Sequence, residues 1–536
     1  MPSEVVPCEV ADFIIVGGGS AGAILANRLS EDPAVRVILV EAGGEAKSLL
    51  VQLPVGFTKL IGKPDSDWMY PLEPDASIGS GASFWTAGKM LGGGSSINGQ
   101  VYIRGTRQDY DRWEEAGATG WGFRDVWPYF LRSENWQGAP SQAHGRLGPL
   151  PIATIRDVHP LCATFVAGCE ALGLPFLPEH NGGEMEGVFF TQTNQRNGWR
   201  YSTERAFLRP VRGRPNLDVI THAEVETILF ENGRAIGVSY RRGDALQTLG
   251  ARREVIVSAG AVGSPALLMR SGIGPGEMLR QAGIPVFRDR AQVGRNLQEH
   301  CSTSQTRPVN RPTLNSQTGP LDMVRYLAKF LWNRSGPFGS PAVQTMALAR
   351  TQTGLSEPDV QLHFFPLAFE TGGSVEKGTE VSMSRDPAVT IGASVAHPAS
   401  RGQVVLRSDR RLGVEHQLMS DPRDVATLVS AMKMIARLYA TPAFSQIVRH
   451  DLAPPLPDTD AGWEELVRSR GAGVYHPVGT CRMGSQEDAV VDTALRVRGI
   501  DGLRVVDASV MPLLPSTNTN APTMMIAEKA ADLILA

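Results

Sequence analysis

The clearest pattern of hydrophobic and polar residues lies near the start of the chain, where two apolar runs flank a glycine-rich segment. Residues 13–16 are continuously apolar, and residues 35–40 form a second apolar run, interrupted by Arg36, that stops at Glu41. Both runs are typical of buried parallel strands. Between them come the glycines of residues 17–22 and a segment with helical character. The order predicts a strand, a tight turn, a helix and a second strand, a unit that commonly holds a dinucleotide.

The spacing of these glycines matches what a bound pyrophosphate requires. Gly17 would permit the tight turn, Gly19 would let the backbone approach the pyrophosphate, and Gly22 would let the helix pack closely on the strand. Glu41 would accept hydrogen bonds from ribose hydroxyls. A glycine turn without a ligand is the alternative. The ligand-contacting residues predicted in this segment are Gly17, Gly19, Ser20, Ala21, Gly22 and Glu41.

Buried-strand patterns return far along the chain. Residues 254–258 predict a strand followed by a turn and a helix, and residues 503–506 predict a strand that ends at Asp507. A last helix is predicted over about 522–535, with Asn520 just outside it. Because such strands lie at both chain ends, we predict a discontinuous nucleotide-binding domain. Its segments are residues 1–159, 213–310 and 466–536.

Between these segments the pattern changes to alternation. Residues 359–365 and 402–407 alternate polar and apolar positions, which predicts a half-solvated antiparallel sheet. We predict a substrate-binding domain formed by residues 160–212 and 311–465. The expected fold class is α/β (α+β overall), with a Rossmann-like nucleotide-binding domain and a second substrate domain built on an antiparallel sheet.

Composition narrows the class of protein. The chain has 536 residues and a formal net charge of −3, without the basic stripe that a nucleic-acid partner requires. Its apolar runs are too short for a transmembrane segment and residues 1–9 do not resemble a signal peptide, so a cytoplasmic protein is expected. Peripheral membrane association is left open. Five scattered cysteines and the lack of an HExxH motif give no reason to expect a metal site or a disulfide framework.

Four segments together resemble the glucose–methanol–choline (GMC) family of FAD-dependent oxidoreductases. They are residues 17–22, 88–98, 260–274 and 475–484, and the resemblance extends from about residue 12 to 535. It implies FAD as the cofactor and places the chain near the choline-dehydrogenase-like and alcohol dehydrogenase branch.

Further FAD contacts are implied by this resemblance. The small residues at 92–96 would let the backbone lie against a flat or phosphate-bearing ligand. Val225 matches the position near adenine, and Asp507 the acidic position near the ribityl phosphate. Ile97 stands where certain relatives have a histidine bonded to FAD, so non-covalent FAD is expected. The added set is Gly92, Gly94, Ser95, Asn98, Gly99, Val101, Val225, Asp507, Ala508, Pro522 and Thr523.

The predicted catalytic pair is His476 and Asn520, which follows it by forty-four residues. Alcohol oxidation needs a base for the hydroxyl proton, a role that suits histidine, and an acceptor for the hydride, which is the flavin N5. The family motif around His476 implies that it is the base. The Asn520 carboxamide would hold the substrate oxygen, and a helix N-cap is its alternative role.

The expected reaction is oxidation of a neutral primary alcohol to the aldehyde. Choline would need a carboxylate or an aromatic cage, and residues 341–350 contain no acid. Phe364, Phe365 and Phe369 would add apolar bulk, or belong to the sheet core. Choline dehydrogenase or oxidase, a hydroxynitrile-lyase-like protein without redox turnover, and a nucleotide-binding protein with a dead site are the alternatives. Oxygen, a quinone or another carrier would accept the electrons.

Overall fold

The computed structural model describes residues 9–79, 84–368 and 385–536, so Phe369 lies outside the described residues. Its helices, in chain order, are α1 Ser20–Leu29, α2 Leu49–Gln52, α3 Gly94–Ile97, α4 Arg107–Glu115, α5 Phe123–Ser133, α6 Leu161–Ala171, α7 Gly260–Arg270, α8 Gly276–Gln281, α9 Pro320–Asn333, α10 Pro422–Tyr439, α11 Pro442–Ser445, α12 Asp460–Ser469 and α13 Asn520–Leu535.

The strands follow the same order along the chain. They are β1 Glu9–Val16, β2 Val37–Val40, β3 Tyr70–Pro71, β4 Phe84–Trp85, β5 Val101–Tyr102, β6 Glu134–Trp136, β7 Leu150–Thr154, β8 Gly187–Phe190, β9 Gln192–Thr193, β10 Gln195–Arg196, β11 Trp199–Arg200, β12 Leu217–Ile220, β13 Glu224–Glu231, β14 Arg234–Arg242, β15 Ala245–Val257, β16 Ile273–Gly274, β17 Arg288–Asp289, β18 Cys301–Pro308, β19 Thr345–Ala349, β20 Val360–Phe365, β21 Ala388–Val395, β22 Gln403–Leu406, β23 Leu412–Glu415, β24 Ala472–Gly473 and β25 Leu503–Val505.

One sheet joins the predicted buried strands from both ends of the chain. The strands β12, β2, β1, β15 and β25 run parallel in that order, and β14 and β13 extend β15 with antiparallel pairing. The apolar runs in β1 and β2 are fully buried, because helices of the chain cover this sheet. The predicted α/β class with a Rossmann-like part is confirmed.

The second large sheet is antiparallel, in the order β24, β18, β21, β20, β19 and β8. The prediction that it is half-solvated is wrong, since β19 is buried throughout and β20 nearly so. Phe364 points to the helices and stacks on Phe165 of α6, with ring centroids 5.1 Å apart. His363 and Phe365 line a cavity instead, so both faces of β20 are covered.

The predicted domain boundaries stay a prediction. This antiparallel sheet includes β18 and β24, which come from segments assigned to the nucleotide-binding domain. The second sheet is therefore continuous with chain segments on both sides of those boundaries.

The last helix, α13, begins at Asn520 rather than at residue 522, and Thr519 occupies its N-cap position. The N-cap role considered for Asn520 is therefore not the observed one. Most side chains of α13 are buried, and the helix packs against α1 and α5. None of the helices in the described part of the chain is long and apolar enough to cross a membrane.

Candidate active site

A cavity of about 570 Å³ is lined by residues from both large sheets. Val16 and Val40 reach it from the carboxyl ends of β1 and β2, the edge at which open α/β sheets bind ligands. His363 and Phe365 reach it from the antiparallel sheet. The cavity therefore has a nucleotide-binding end and a second end that the antiparallel sheet encloses.

The first glycine turn leaves no room for side chains on its inner side. Gly17 has a φ of 99°, and a Cβ there would lie 2.5 Å from the backbone oxygen of Ser258. A Cβ on Gly22 would lie 1.9 Å from the backbone oxygen of Gly17. Both glycines are thus required by the close packing of α1 against β1 and β15.

Other glycines face open space instead. Gly94, Gly99 and Gly260 line the cavity, and a Cβ built on any of them would meet no atom within 4 Å. A Cβ on Gly19 would meet only the Gly93 Cα, at 3.9 Å. These bare backbone surfaces form a cradle that a large, flat or phosphate-bearing ligand fits.

Two buried carboxylates organise the loops around this cradle. The Glu41 oxygens accept hydrogen bonds from the backbone N–H groups of Gly18 and Gly43, both at 2.7 Å. The Asp507 oxygens accept from the backbone N–H groups of Gly260 and Ser509, at 2.9 and 2.8 Å. Burial raises the pKa of both carboxyl groups. Each carboxylate fixes a turn and also borders the cavity.

The cavity brings together most of the predicted site residues. Those that line it are Gly17, Gly19, Ser20, Ala21, Glu41, Gly94, Asn98, Gly99, Val101, Val225, His476, Asp507, Ala508, Asn520 and Thr523. Four predicted contacts, namely Gly22, Gly92, Ser95 and Pro522, are not among the lining residues. The Gly92 N–H donates to the Gly18 oxygen at 2.7 Å, and the Ser95 hydroxyl donates to the Gly92 oxygen at 2.6 Å, so these two residues support the cradle from behind.

At the other end of the cavity, backbone hydrogen bonds to Glu299 hold His476 in place. Its N–H donates to a Glu299 carboxylate oxygen at 2.7 Å, and the Val474 N–H donates to the other oxygen at 3.3 Å. Tyr475, between them, has a φ of 66°, a left-handed conformation that is uncommon for tyrosine. The bent segment turns the His476 ring into the cavity, and the sequence analysis did not identify Glu299 as its anchor.

A second buried histidine fixes the protonation of the His476 ring. His300 Nε2 lies 3.2 Å from the Ala396 oxygen, 3.0 Å from the Pro515 oxygen and 3.3 Å from the Gln361 amide group. Because the two nearer partners are carbonyls, which only accept, we assign the proton to Nε2. Burial lowers the pKa of His300 to about 3, so its Nδ1 is an unprotonated acceptor. His476 Nδ1, 2.9 Å away, must then donate to it. This leaves His476 Nε2 as the unprotonated, basic nitrogen of the ring.

Burial, and then the neighbouring His300 and His363, hold the pKa of His476 well below its usual value. The ring is therefore neutral at physiological pH. Because Nδ1 carries the proton that is donated to His300, the unprotonated nitrogen of the neutral ring is Nε2.

The partner of that nitrogen is Asn518, which the sequence analysis missed. The Asn518 Nδ2 amide group lies 3.0 Å from His476 Nε2, whereas the Asn520 Oδ1 accepts from the Ser20 hydroxyl at 2.8 Å. Both asparagines line the cavity. The sequence repeats the pair Thr-Asn over residues 517–520, so it offers two asparagines that could contact His476. The spacing from His476 does not distinguish between them.

Glu299, His300 and His476 place possible ligand atoms within 4.8 Å of one another, which is compatible with a metal ion. Their hydrogen bonds explain the cluster without a metal ion. The Glu299 carboxylate accepts two backbone N–H groups, and the two rings are joined directly. The geometry fits an ordered base better than a ligand set.

Aromatic and apolar residues also line the cavity. They include Trp85, Val343 and Phe365, together with neutral His363, whose pKa is lowered to about 4 by burial. The acidic residues that line the cavity within the described residues are Glu41, Glu224 and Asp507. Glu370 lies outside the described residues.

A Rossmann-like sheet with a bare backbone cradle, joined to a cavity that ends at a neutral histidine, defines a nucleotide-dependent oxidoreductase. Two family models described as GMC oxidoreductase match residues 11–302 and 398–527. The chain belongs to the GMC oxidoreductase family. Its cofactor is FAD, and it acts on CH–OH donors.

Individual relatives support the family assignment over nearly the whole chain. The alcohol dehydrogenase [acceptor] of Pseudomonas putida is 37% identical over 98% of this chain and 95% of its own length. An oxygen-dependent choline dehydrogenase of Brucella anthropi is 35% identical with the same coverage. Among solved structures, pyridoxine 4-oxidase from Mesorbium loti is 31% identical, with a TM-score of 0.88 over 97% of this chain and 98% of that one.

Proposed function

We propose that this protein oxidises a neutral primary alcohol to the aldehyde with His476 as the base. The observation that carries the proposal is the unprotonated His476 Nε2, in a ring that lines the cavity beside the Asn518 amide group. FAD, when bound, supplies the hydride acceptor at flavin N5. The glycine cradle, Glu41 and the loop held by Asp507 are the residues that would hold it.

In this proposal His476 Nε2 accepts the hydroxyl proton of the alcohol. The resulting imidazolium keeps its Nδ1 hydrogen bond to the neutral His300, which stabilises the added charge. The Asn518 amide lies on the same nitrogen and would donate to the alcohol oxygen as that oxygen becomes negative. Asn520 keeps its predicted role as a second donor, and its bond to Ser20 makes that role the weaker of the two.

The cavity wall supports a neutral substrate. Trp85, Val343 and Phe365 line the cavity, and two of its three lining carboxylates, Glu41 and Asp507, already accept backbone N–H groups of the glycine turns. A quaternary ammonium would have to rely on aromatic faces such as that of Trp85. Choline remains the second candidate because several relatives of 35–37% identity are named choline dehydrogenases.

The test is an assay of purified, FAD-loaded enzyme with choline beside a medium-chain alcohol, a benzylic alcohol and an oligo-glycol. We expect the uncharged alcohols to exceed choline by at least about tenfold in kcat/KM. Choline ranking first would refute the proposed substrate class. H₂O₂ formation and reduction of an artificial dye, followed side by side, would identify the electron acceptor.

A second experiment distinguishes alcohol oxidation from a lyase reaction. Under anaerobic conditions an alcohol substrate should bleach the yellow flavin absorbance of an oxidoreductase. Unchanged absorbance, together with release of aldehyde from a cyanohydrin, would indicate the lyase alternative instead.

A further inference from the structure

The helix α9 carries an apolar face that no part of the described chain covers. Its inner side packs through Tyr326 and Phe330, and Phe330 meets Trp199 edge to face at 5.0 Å. Its outer side exposes large apolar residues to solvent, including Leu321 at 85% and Trp332 at 91% exposure. The exposed large hydrophobic side chains of this one helix are Leu321, Val324, Leu327, Leu331 and Trp332.

These side chains form one stripe rather than a scatter. At 3.6 residues per turn they fall within an arc of about 140° on the helix, opposite Tyr326 and Phe330. Single exposed apolar residues are ordinary on protein surfaces, whereas a contiguous stripe marks an interaction site. The stripe therefore needs a partner that accepts aliphatic side chains and a tryptophan.

The charges beside the stripe identify the kind of partner. Arg325 is exposed on its edge, one turn after Leu321, and forms no ion pair among the described residues. Lys329 follows one turn later and pairs with Asp157 at 2.6 Å. Between residues 320 and 334 the chain holds two arginines and one lysine against one aspartate, a local charge of +2 (3 − 1). An amphipathic helix with Leu and Trp on one face and cations at its border is suited to the surface of an anionic bilayer.

The stripe also lies close to the active-site cavity. The turn Pro337–Gly339, directly after α9, contacts the turn Pro54–Lys59. Phe57, in that turn, lines the cavity. The neighbouring helix α2 exposes Leu49 and Leu50, and its Val51 oxygen accepts from Arg200, beside Trp199. A surface docked on α9 would thus lie beside one wall of the cavity.

We propose that α9 docks this protein peripherally on an anionic lipid surface, with Leu321, Val324, Leu331 and Trp332 inserted and Arg325 at the headgroups. This goes beyond the proposed alcohol oxidation and does not depend on it. It requires no membrane-spanning segment, because such helices lie in the interface plane.

The test is cosedimentation of FAD-loaded protein with vesicles of phosphatidylcholine alone or mixed in equal parts with phosphatidylglycerol. We expect binding to the mixed vesicles, weakened by salt, and little binding to phosphatidylcholine alone. The serine variant carries four substitutions, Leu321→Ser, Val324→Ser, Leu331→Ser and Trp332→Ser. Its vesicle-bound fraction should be at least about tenfold lower than that of the wild type. Arg325→Glu, which leaves the apolar stripe intact, should weaken binding to the anionic vesicles.

The matched control is the double variant Arg146→Gln and Leu147→Ser, which changes an exposed arginine and a fully exposed leucine outside the helix. It should bind as wild type, and all variants should keep their flavin content and their activity without vesicles. Equal sedimentation of the serine variant and wild type, or no binding by wild type, would overturn the proposal. A dimer in solution that the serine variant abolishes, without vesicle binding, would assign the stripe to a second copy of the chain.

Discussion

The two ends of the cavity are built in different ways. At the nucleotide-binding end, bare glycine backbone and two carboxylates that hold neighbouring N–H groups form the wall, and each turn is a short continuous segment. At the other end, the hydrogen-bonded groups around His476 come from segments near residues 300, 396, 476 and 518. The first end depends on backbone conformation and close backbone approach at short turns, whereas the second depends on side chains and carbonyls from four distant segments.

Because of this difference, substitutions at the two ends of the cavity should impair the enzyme in different ways. A change in the cradle should remove the cofactor and leave the histidine pair intact. A change in the histidine pair should leave the cofactor bound and remove the base. The following predictions test that separation, from the largest expected effect to the smallest.

Replacement of the base should give the largest loss of activity. His476→Ala removes the nitrogen proposed to accept the proton, so kcat/KM for the best alcohol should fall by roughly 10²- to 10⁴-fold while FAD content and folding persist. Steady-state kinetics and the flavin absorbance of the purified variant measure both. His450→Ala, at an exposed histidine, is the control. Near-normal turnover of flavin-loaded His476→Ala would remove His476 from the mechanism.

The cradle is tested by a side chain placed in the space that we propose for the cofactor. In Gly94→Ala the added methyl meets no protein atom, so the protein should fold with wild-type thermal stability in its apo form but lose most bound FAD. Gly213→Ala is the matched control, because a Cβ there also meets no atom within 4 Å and Gly213 does not line the cavity. Equal FAD content in the two variants would contradict the placement of the cofactor on this backbone.

The role of His300 as a positioning residue is tested by a pair of substitutions. His300→Leu removes the acceptor for the His476 Nδ1 proton, frees that proton to move to Nε2, and should lower kcat by roughly 10- to 100-fold. His300→Gln offers a carbonyl oxygen to the same proton and should recover much of the loss. A merely structural role predicts no such rescue, so equal activity of the two variants at equal FAD content would count against it.

The two asparagines can be ranked directly. Asn518 contacts His476 Nε2, so Asn518→Ala should lower kcat/KM by about tenfold or more, and Asn520→Ala should have a smaller effect. Kinetics of both variants with one alcohol measure the difference. The reverse order would restore Asn520 as the principal donor.

The smallest expected effect is on pH dependence. The base must be unprotonated, and the pKa of His476 lies well below 6.5, so the active form persists as the pH falls through 6.5. kcat/KM for a neutral alcohol should therefore stay constant there and decline only at clearly lower pH. A pH profile of kcat/KM for the wild-type enzyme tests this prediction. The control is the stability of the enzyme, measured at each pH. An inflection at or above 6.5 would contradict the neutral, buried ring.

The sequence by itself determined the parallel strands, the glycine turns and the family, because each depends on residues that are close together in the chain. Continuous apolar runs specify buried strands, and the glycine at residue 17 indicates a turn with positive φ, as observed. His476 belongs to this group as well, since its identification came from the motif around it.

Only the tertiary structure decided how the base is held. Alternation in residues 359–365 predicted one solvated face, but helices cover one face of β20 and the cavity lies on the other, and a period of two does not distinguish water from a cavity wall. Asn518 rather than Asn520 meets His476 because α13 begins at residue 520 and the preceding turn directs the earlier asparagine inward. The protonation of His476 is set by two carbonyls near residues 396 and 515, acting through His300. Hydrogen bonds between such distant segments depend on packing, which local sequence patterns do not encode.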